Sequence, residues 1–187
     1  MSTRRFTVEE YHRLIQTGAL TEDDAVELLE GWIVRKASRN PSHDCALDLA
    51  QEVLRGCLPP DWRVRILSAI TLSDSEPEPD VAVVRGPLRS HMNRHPEPAE
   101  VGLLVEVADS SLVHDRTEKG RVYARAGILV YWIVNLVDAL VEVYTSPSGP
   151  ATTPGYGQRQ DYRPGDLVPL VIGGQQVGQV AVQDLLP

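Results

Sequence analysis

Three ionisable residues, Asp80, Glu106 and Lys119, have the side-chain types and the spacing for phosphate chemistry. Asp80 opens the apolar run 81–84, and Glu106 interrupts a second apolar run, 101–107. A carboxylate within a buried strand is costly unless a cation or a shared proton relieves it. A divalent metal would relieve two such acids, and oxygen ligands favour Mg²⁺ or Mn²⁺ over Zn²⁺.

The two apolar runs predict how these acids meet. Continuous runs such as 81–84 and 101–107 are typical of central strands that are buried on both faces. The connection between them, 86–100, is predicted as a surface loop, so the strands can pair antiparallel. Asp80 at the start of one strand and Glu106 near the end of the other then lie at the same end of the sheet.

A helix predicted over 115–126 follows the Glu106 strand and supplies the lysine. The spacing of Asp115, Lys119 and Tyr123 places them on one face, so Lys119 is expected to point toward Glu106. An ammonium beside metal-bound carboxylates would orient a water molecule and neutralise charge that develops on phosphate. The chain contains only two lysines among its 18 basic residues, and one of them stands at this position.

Hydrophobic periodicity and turn residues predict the surrounding elements. They are a helix over 6–16 with Thr7 as its N-cap, a hairpin over 25–34 turning at Glu30-Gly31, a helix over 42–57, and strands over 62–66, 69–72, 128–135, 140–144, 167–172 and 176–182. Residues 146–165 are predicted as a loop. The strand, helix and strand over 101–135 predict a right-handed parallel crossover. The fold class is therefore α/β, with a mixed central sheet flanked by helices, in one domain spanning 1–187.

Composition limits the function classes. The net charge of −8 argues against a protein that binds nucleic acid through a broad basic face. It does not exclude an enzyme whose acids collect a metal ion that then meets phosphate. No apolar run approaches the length of a membrane span, and Cys45 and Cys57 are too far apart in one predicted helix to form a disulfide. These features predict a cytoplasmic protein without a membrane partner.

The same residues resemble the PD-(D/E)XK nuclease superfamily, with Pro79-Asp80 and Glu106 as the matching acids. Most of that superfamily has a lysine two residues after the glutamate, where this chain has Ala108. The chain resembles, almost end to end, the Uma-two family of proposed restriction endonucleases, in which the lysine has moved to the following helix, where Lys119 stands. The segments that carry the resemblance are 6–11, 26–31, 42–43, 79–81, 105–107, 115–127, 131–134, 141–144 and 165–166.

The resemblance implies a restriction-endonuclease-like fold with an extra N-terminal helix and hairpin and extra C-terminal strands. It implies a nuclease that uses Mg²⁺ or Mn²⁺ to hydrolyse DNA phosphodiester bonds, and by analogy a homodimer. Asp80, Glu106 and the carbonyl of Val107 would hold the metal, and Lys119 would position the attacking water. Glu27, a recurrent acid of the family, would contribute a further carboxylate.

Each of these residues also has a structural interpretation. Glu27 is as well suited to an ion pair as to the metal. Glu106 could pair with an arginine such as Arg121 or Arg125, and Lys119 could be a solvated helix residue.

Several positively charged or titratable residues outside this set also have two interpretations. His43, at the start of a predicted helix, either positions water or phosphate or is a polar residue of the helix terminus. The basic residues of the loop either contact phosphate or are solvated; they are Arg85, Arg89, His91, Arg94 and His95.

Two other functions remain possible from the sequence. A binding or regulatory module could keep the fold without cutting anything, which the net charge of −8 favours. A metal-dependent hydrolase of a small phosphorylated substrate is the third possibility. Binding of a divalent metal would separate the first of these from a nuclease.

Overall fold

The computed structural model describes residues 4–187; the first three residues of the predicted 1–187 domain lie outside the described part. In chain order the main elements are α1 (Val8–Gln16), β1 (Val26–Leu29), β2 (Trp32–Arg35), α2 (Pro41–Cys57), β3 (Trp62–Ile66), β4 (Val81–Arg85), β5 (Val101–Ala108), α3 (consecutive segments Leu112–His114, Asp115–Lys119 and Gly120–Arg125), β6 (Val130–Asn135), β7 (Leu140–Pro147), β8 (Tyr156–Tyr162), β9 (Leu167–Ile172) and β10 (Gln175–Ala181). Short 3₁₀ turns occur at Glu22–Asp24, Leu88–His91, Pro98–Glu100 and Val182–Asp184.

A six-stranded sheet in the order β3-β4-β5-β6-β7-β8 forms the centre of the fold. Neighbouring strands are antiparallel except for β5 and β6, which are parallel and joined through α3. The strands β9 and β10 form a separate hairpin, as do β1 and β2. The predicted α/β class with a mixed sheet, an extra N-terminal helix and hairpin, and extra C-terminal strands is confirmed.

The sheet is covered on both faces by apolar cores. Trp132 and Leu103 belong to the core that α2 and the β9–β10 hairpin complete on one face. Tyr123 of α3 packs with Tyr131 and Leu104 on the other face. All five side chains are completely buried. Burial on both faces explains why β4, β5 and β6 are almost continuous apolar runs in the sequence.

The N-terminal segment consists of α1 and the β1–β2 hairpin, and the hairpin packs against the connection between β3 and β4. Thr7 caps α1, and its hydroxyl and the Glu10 carboxylate form the reciprocal bonds of a capping box. Glu30 and Gly31 form the turn between β1 and β2 with φ values of 50° and 78°. The Leu28 backbone then bridges to Glu76, which ties the hairpin to the rest of the protein.

Two predicted segments differ from the structure. Residues 69–72 are not a strand: the Ile70 and Leu72 amides donate to Pro77 and Ser75 in a tight loop, although both side chains are buried. Part of the predicted loop 146–165 is instead the edge strand β8. Its polar residues carry no hydrophobic alternation, because most of the strand is exposed and β7 pairs with it through the backbone.

No helix within residues 4–187 is both long and apolar enough to cross a membrane. Cys45 and Cys57 both lie in α2 as free thiols, in agreement with the spacing argument.

The turn at Gly31 has little tolerance for a side chain. A Cβ atom there would lie 2.5 Å from the Arg5 Cβ and 2.9 Å from the Phe6 carbonyl oxygen. Gly31→Ala should lower the free energy of unfolding by about 2–3 kcal/mol, because left-handed strain and crowding add. Urea denaturation measures this change.

Gly18→Ala is the matched control. Gly18 has a similar φ of 72°, but nothing lies within 4 Å of an added Cβ. Only the conformational strain of about 1 kcal/mol should appear there. Equal losses in the two variants would contradict the close packing at Gly31.

Candidate active site

Asp80 and Glu106 lie side by side at one end of the central sheet. In the antiparallel β4–β5 pair Val81 faces Val105, so the next pair along the ladder is the two acids. The Asp80 amide donates to Glu106 Oε2 at 3.2 Å. Both residues are buried: Asp80 is 8% exposed and Glu106 is 4% exposed. The predicted meeting of the two acids is therefore observed.

Lys119 extends from α3 into the same group of acids. Its Nζ lies 3.2 Å from Glu106 Oε1 and 2.8 Å from Glu27 Oε2. Only 4% of the residue is exposed, so the interpretation of Lys119 as a solvated helix residue is wrong. Arg121 and Arg125 pair with Glu30 instead of Glu106, which removes the arginine alternative.

A π-helical turn over Asp115–Lys119 sets the direction of the Lys119 side chain. The Gly120 amide donates to the Asp115 carbonyl, five residues back, and the Tyr131 hydroxyl donates to the same carbonyl at 3.1 Å. A π turn accommodates one more residue than an α turn and often occurs at functional sites. Asp115 and Lys119 are both buried on the side that packs on the sheet. The α-helical spacing expected over 115–126 does not include this turn.

Glu27 reaches the site from β1 of the N-terminal hairpin. Its Oε2 accepts the Glu78 amide at 2.9 Å in addition to the Lys119 ammonium. The residue is 2% exposed. The ion-pair interpretation of Glu27 is therefore correct in geometry, and the pair lies within the candidate site.

Tyr123, which the sequence predicts only as a residue on the core-facing side of the helix, also belongs to the site. Its hydroxyl donates to Glu106 Oε1 at 2.6 Å. It lies one helical turn beyond Lys119, and this i, i+4 spacing to the lysine is the signal that could have identified it. Tyr123 and Lys119 together hold one oxygen of Glu106.

Burial dominates the electrostatics of these groups. Burial, followed by the charges of Asp80 and Asp115, raises the pKa of Glu106 well above its ordinary value, although Lys119 opposes this. Burial alone would lower the pKa of Lys119, but Glu106 and Glu27 outweigh it and raise the pKa. The lysine is therefore a permanent ammonium at neutral pH.

Asp115 and His43 complete the polar wall of the site. Burial raises the pKa of Asp115 to about 6, while the Ser111 hydroxyl, which donates to its Oδ2 at 2.6 Å, opposes this shift. His43 Nε2 lies 3.2 Å from Asp80 Oδ2, and the His43 amide donates to the Asn40 side chain that caps α2. Burial lowers the pKa of His43, but the contact with Asp80 outweighs it and raises the pKa. His43 therefore lies in the first turn of α2, as one interpretation predicted, and its ring contacts the candidate site through Asp80.

These groups surround a cavity of about 320 Å³ that is partly open to solvent. Its lining includes Glu27, His43, Asp80, Glu106, Val107 and Lys119. The loop histidines and arginines predicted as possible phosphate contacts do not line it. Arg94 instead donates to the Glu100 carboxylate through its two terminal nitrogens, Nη1 and Nη2, at 2.6 and 2.7 Å. His91 contacts Arg63.

The oxygen donors at this end of the sheet are compatible with a hard divalent cation. The Leu136 amide donates to the Ala108 carbonyl, so the polar groups of Ala108 face β6 and those of Val107 face the opposite side. There the Val107 amide donates to Asp80 Oδ2 at 2.8 Å, beyond the start of β4. The Val107 carbonyl therefore faces the same side as the two acids.

Within residues 4–187, no group of three or more His, Cys, Asp or Glu side chains is arranged to hold a metal. The set of Asp80, Glu106 and the Val107 carbonyl contains only two side chains. Its all-oxygen chemistry suits Mg²⁺ or Mn²⁺, and a cation there would relieve the repulsion between the two buried acids.

Comparisons with known proteins agree with this fold. No curated relative matches the chain in sequence. A crystal structure from Anabaena variabilis, described as "a putative nuclease belonging to DUF820", superposes with a TM-score of 0.66. The match covers 96% of this chain and 97% of that one at 19% identity. At this identity the likeness shows the fold alone.

The family comparison is more specific. The sequence model of the Uma2 family, described as "Putative restriction endonuclease", matches residues 8–177. This range contains every residue of the candidate site, from Glu27 to Tyr123. The resemblance noted from the sequence is confirmed, and the chain belongs to the Uma2 family.

Proposed function

We propose that the protein is a Mg²⁺- or Mn²⁺-dependent endonuclease that hydrolyses DNA phosphodiester bonds. The observation that carries this proposal is the burial of the Lys119 ammonium beside Glu106, which itself lies against Asp80, on the wall of an accessible cavity. Membership of a family described as restriction endonucleases supports the same activity. DNA is the substrate that this description implies.

Asp80, Glu106 and the Val107 carbonyl would hold the metal. When bound, the ion supplies positive charge that polarises the phosphodiester and makes water a stronger acid. Hydrolysis forms a bond from a water oxygen to phosphorus, breaks the bond to the 3′ oxygen and releases a proton. The remaining contributions come from the chain's own side chains.

Lys119 acts as a fixed positive charge. Because its pKa is raised, Lys119 stays protonated near neutral pH and cannot act as the base that takes a proton from water. It can donate hydrogen bonds to a water molecule and to a phosphate oxygen as negative charge develops there. Glu27 and Glu106 orient it from two sides, which reduces the reorganisation that the reaction requires.

A homodimer would present two such cavities to the two strands of a duplex, and we propose this assembly by analogy with nucleases of similar size. The competing proposal is a module that keeps the fold without catalysis, which the net charge of −8 favours. Metal binding and metal-dependent cleavage separate the two.

Lys119→Met should reduce metal-dependent DNA cleavage at least ~100-fold, because a positive charge that stabilises the transition state is lost. The variant also leaves Glu27 and Glu106 buried without their cation, so the free energy of unfolding should fall by about 3 kcal/mol. Cleavage of a supercoiled plasmid in Mn²⁺ measures the rate, and circular dichroism establishes that the variant is folded.

Two further variants make this test decisive. Lys119→Arg keeps the positive charge. Its planar guanidinium does not reproduce the contacts of the ammonium with Glu27 and Glu106, so cleavage should still fall. Arg121→Gln removes a positive charge from the same helix, outside the cavity, and should leave cleavage within twofold of the wild type. Wild-type rates in folded Lys119→Met would refute the mechanism.

Isothermal titration with Mn²⁺ tests the metal ligands separately from catalysis. Asp80→Asn and Glu106→Gln should each weaken Mn²⁺ binding at least ~10-fold, since each removes a charged oxygen ligand. Asp161→Asn makes the same kind of change on the far edge strand β8 and should leave binding unchanged. If the wild-type chain binds no Mn²⁺ up to millimolar concentration, the non-catalytic module is the better description.

A further inference from the structure

A second cavity, of about 420 Å³, adjoins the candidate active site. The two cavities share five lining residues, which are Glu22, Ala25, Lys36, Leu67 and Glu78. The second cavity lies between α1, the hairpin and the edge strand β3. The two cavities are therefore neighbours with a common wall, part of which is the Lys36–Glu78 ion pair.

Arg65 of β3 lines this second cavity. Its strand neighbours Val64 and Ile66 pack into the core that contains α2, so the Arg65 side chain points to the opposite face of the sheet. The partner strand places Ala82 opposite Arg65, two residues from Asp80 on the same face. The arginine and the candidate metal ligands therefore share one face of the sheet.

The Arg65 guanidinium has no protein partner within residues 4–187. Its Nε atom is buried and makes no hydrogen bond. Burial, followed by the charge of Arg63, lowers its pKa, and no carboxylate offsets these effects. By contrast, Arg63 on the same face donates to the Gly86 carbonyl at 3.0 Å.

Two of the three acids that line the second cavity, Glu76 and Glu78, already contact other groups. Glu76 contacts His12 Nε2 at 2.7 Å and accepts the Thr71 hydroxyl at 2.9 Å. Glu78 pairs with Lys36 at 2.7 Å. Glu22 lies on an exposed turn and is not within ion-pairing distance of Arg65. Arg65 is thus left as a charge without a counterion in a polar cavity.

An arginine kept half-buried without an acceptor costs stability. Its five N–H donors form a planar fork that matches the oxygens of a phosphate. The cavity adjoins a site whose proposed substrate carries one phosphate on every nucleotide. A bound phosphate would supply the acceptors that the protein lacks.

We propose that Arg65 binds a backbone phosphate of the nucleic-acid strand, next to the phosphodiester that is cleaved. The inference rests on the proposed nuclease function for the identity of the ligand. It gives an acidic protein without a broad basic surface one positive charge for DNA, in the cavity beside the candidate site.

Fluorescence anisotropy with a labelled DNA duplex in EDTA measures binding without cleavage. Arg65→Gln should weaken binding about tenfold, the usual effect of losing one charge-assisted contact. The slope of log affinity against log salt should fall by about 0.9, as expected for one phosphate contact. Arg163→Gln is the matched control, because this exposed arginine follows β8 at the opposite edge of the sheet. It should change the affinity less than twofold.

Two measurements separate this proposal from the nuclease function. Titration of the ¹⁵N-labelled protein with inorganic phosphate should shift the Arg65 Nε–H resonance, whether or not the protein cuts DNA. The Tm of Arg65→Gln should equal or exceed that of the wild type, since a buried charge without a partner is removed. A purely structural arginine would lower the Tm.

Each outcome decides one part of the proposal. No phosphate-dependent shift at Arg65, or a lower Tm for Arg65→Gln, overturns the anion site. A phosphate shift with equal DNA affinity in wild type and Arg65→Gln overturns the assignment to nucleic acid. A phosphate shift in a protein that neither cuts nor binds DNA refutes the nuclease function while the anion site stands.

Discussion

The candidate site depends on one buried positive charge. Lys119 is enclosed by Glu27 and Glu106, which come from the hairpin and the central sheet. Each of these acids would be costly to bury alone, and the ammonium offsets part of the cost for both. The same contacts join α3, the hairpin and the sheet. Of the two interpretations of Glu27, the ion pair is the one that the structure shows, and this pair holds the hairpin against the candidate site.

The acids and the lysine could be predicted because each is marked by a pattern in the residues beside it in the chain. Glu106 stands in an apolar run, where a charge requires a partner. Asp80 precedes a similar run, and antiparallel pairing brings the two ends together. Lys119 follows from helical spacing on the helix that joins β5 to β6. Each of these signals is contained in a short stretch of the chain, so it can be recognised from the sequence.

Other features could not be predicted because their cause lies outside the pattern of side chains. The strand β8 is polar along most of its length and exists through backbone pairing with β7. At the π turn over Asp115–Lys119, the Asp115 carbonyl accepts a hydrogen bond from the Tyr131 hydroxyl, which comes from β6 and is distant in the sequence. The isolation of Arg65 is a property of its neighbours in space, and nothing in the residues beside it in the chain indicates it.

The π turn has a consequence for how this chain can change length. One residue inserted between Leu112 and Lys119 would rotate the lysine by about 100° around the helix axis, away from its two acids. Insertions are therefore tolerated poorly within 112–119. The mostly exposed stretches 86–94 and 148–155 carry no such angular requirement, and they are the places where relatives of this protein can differ in length.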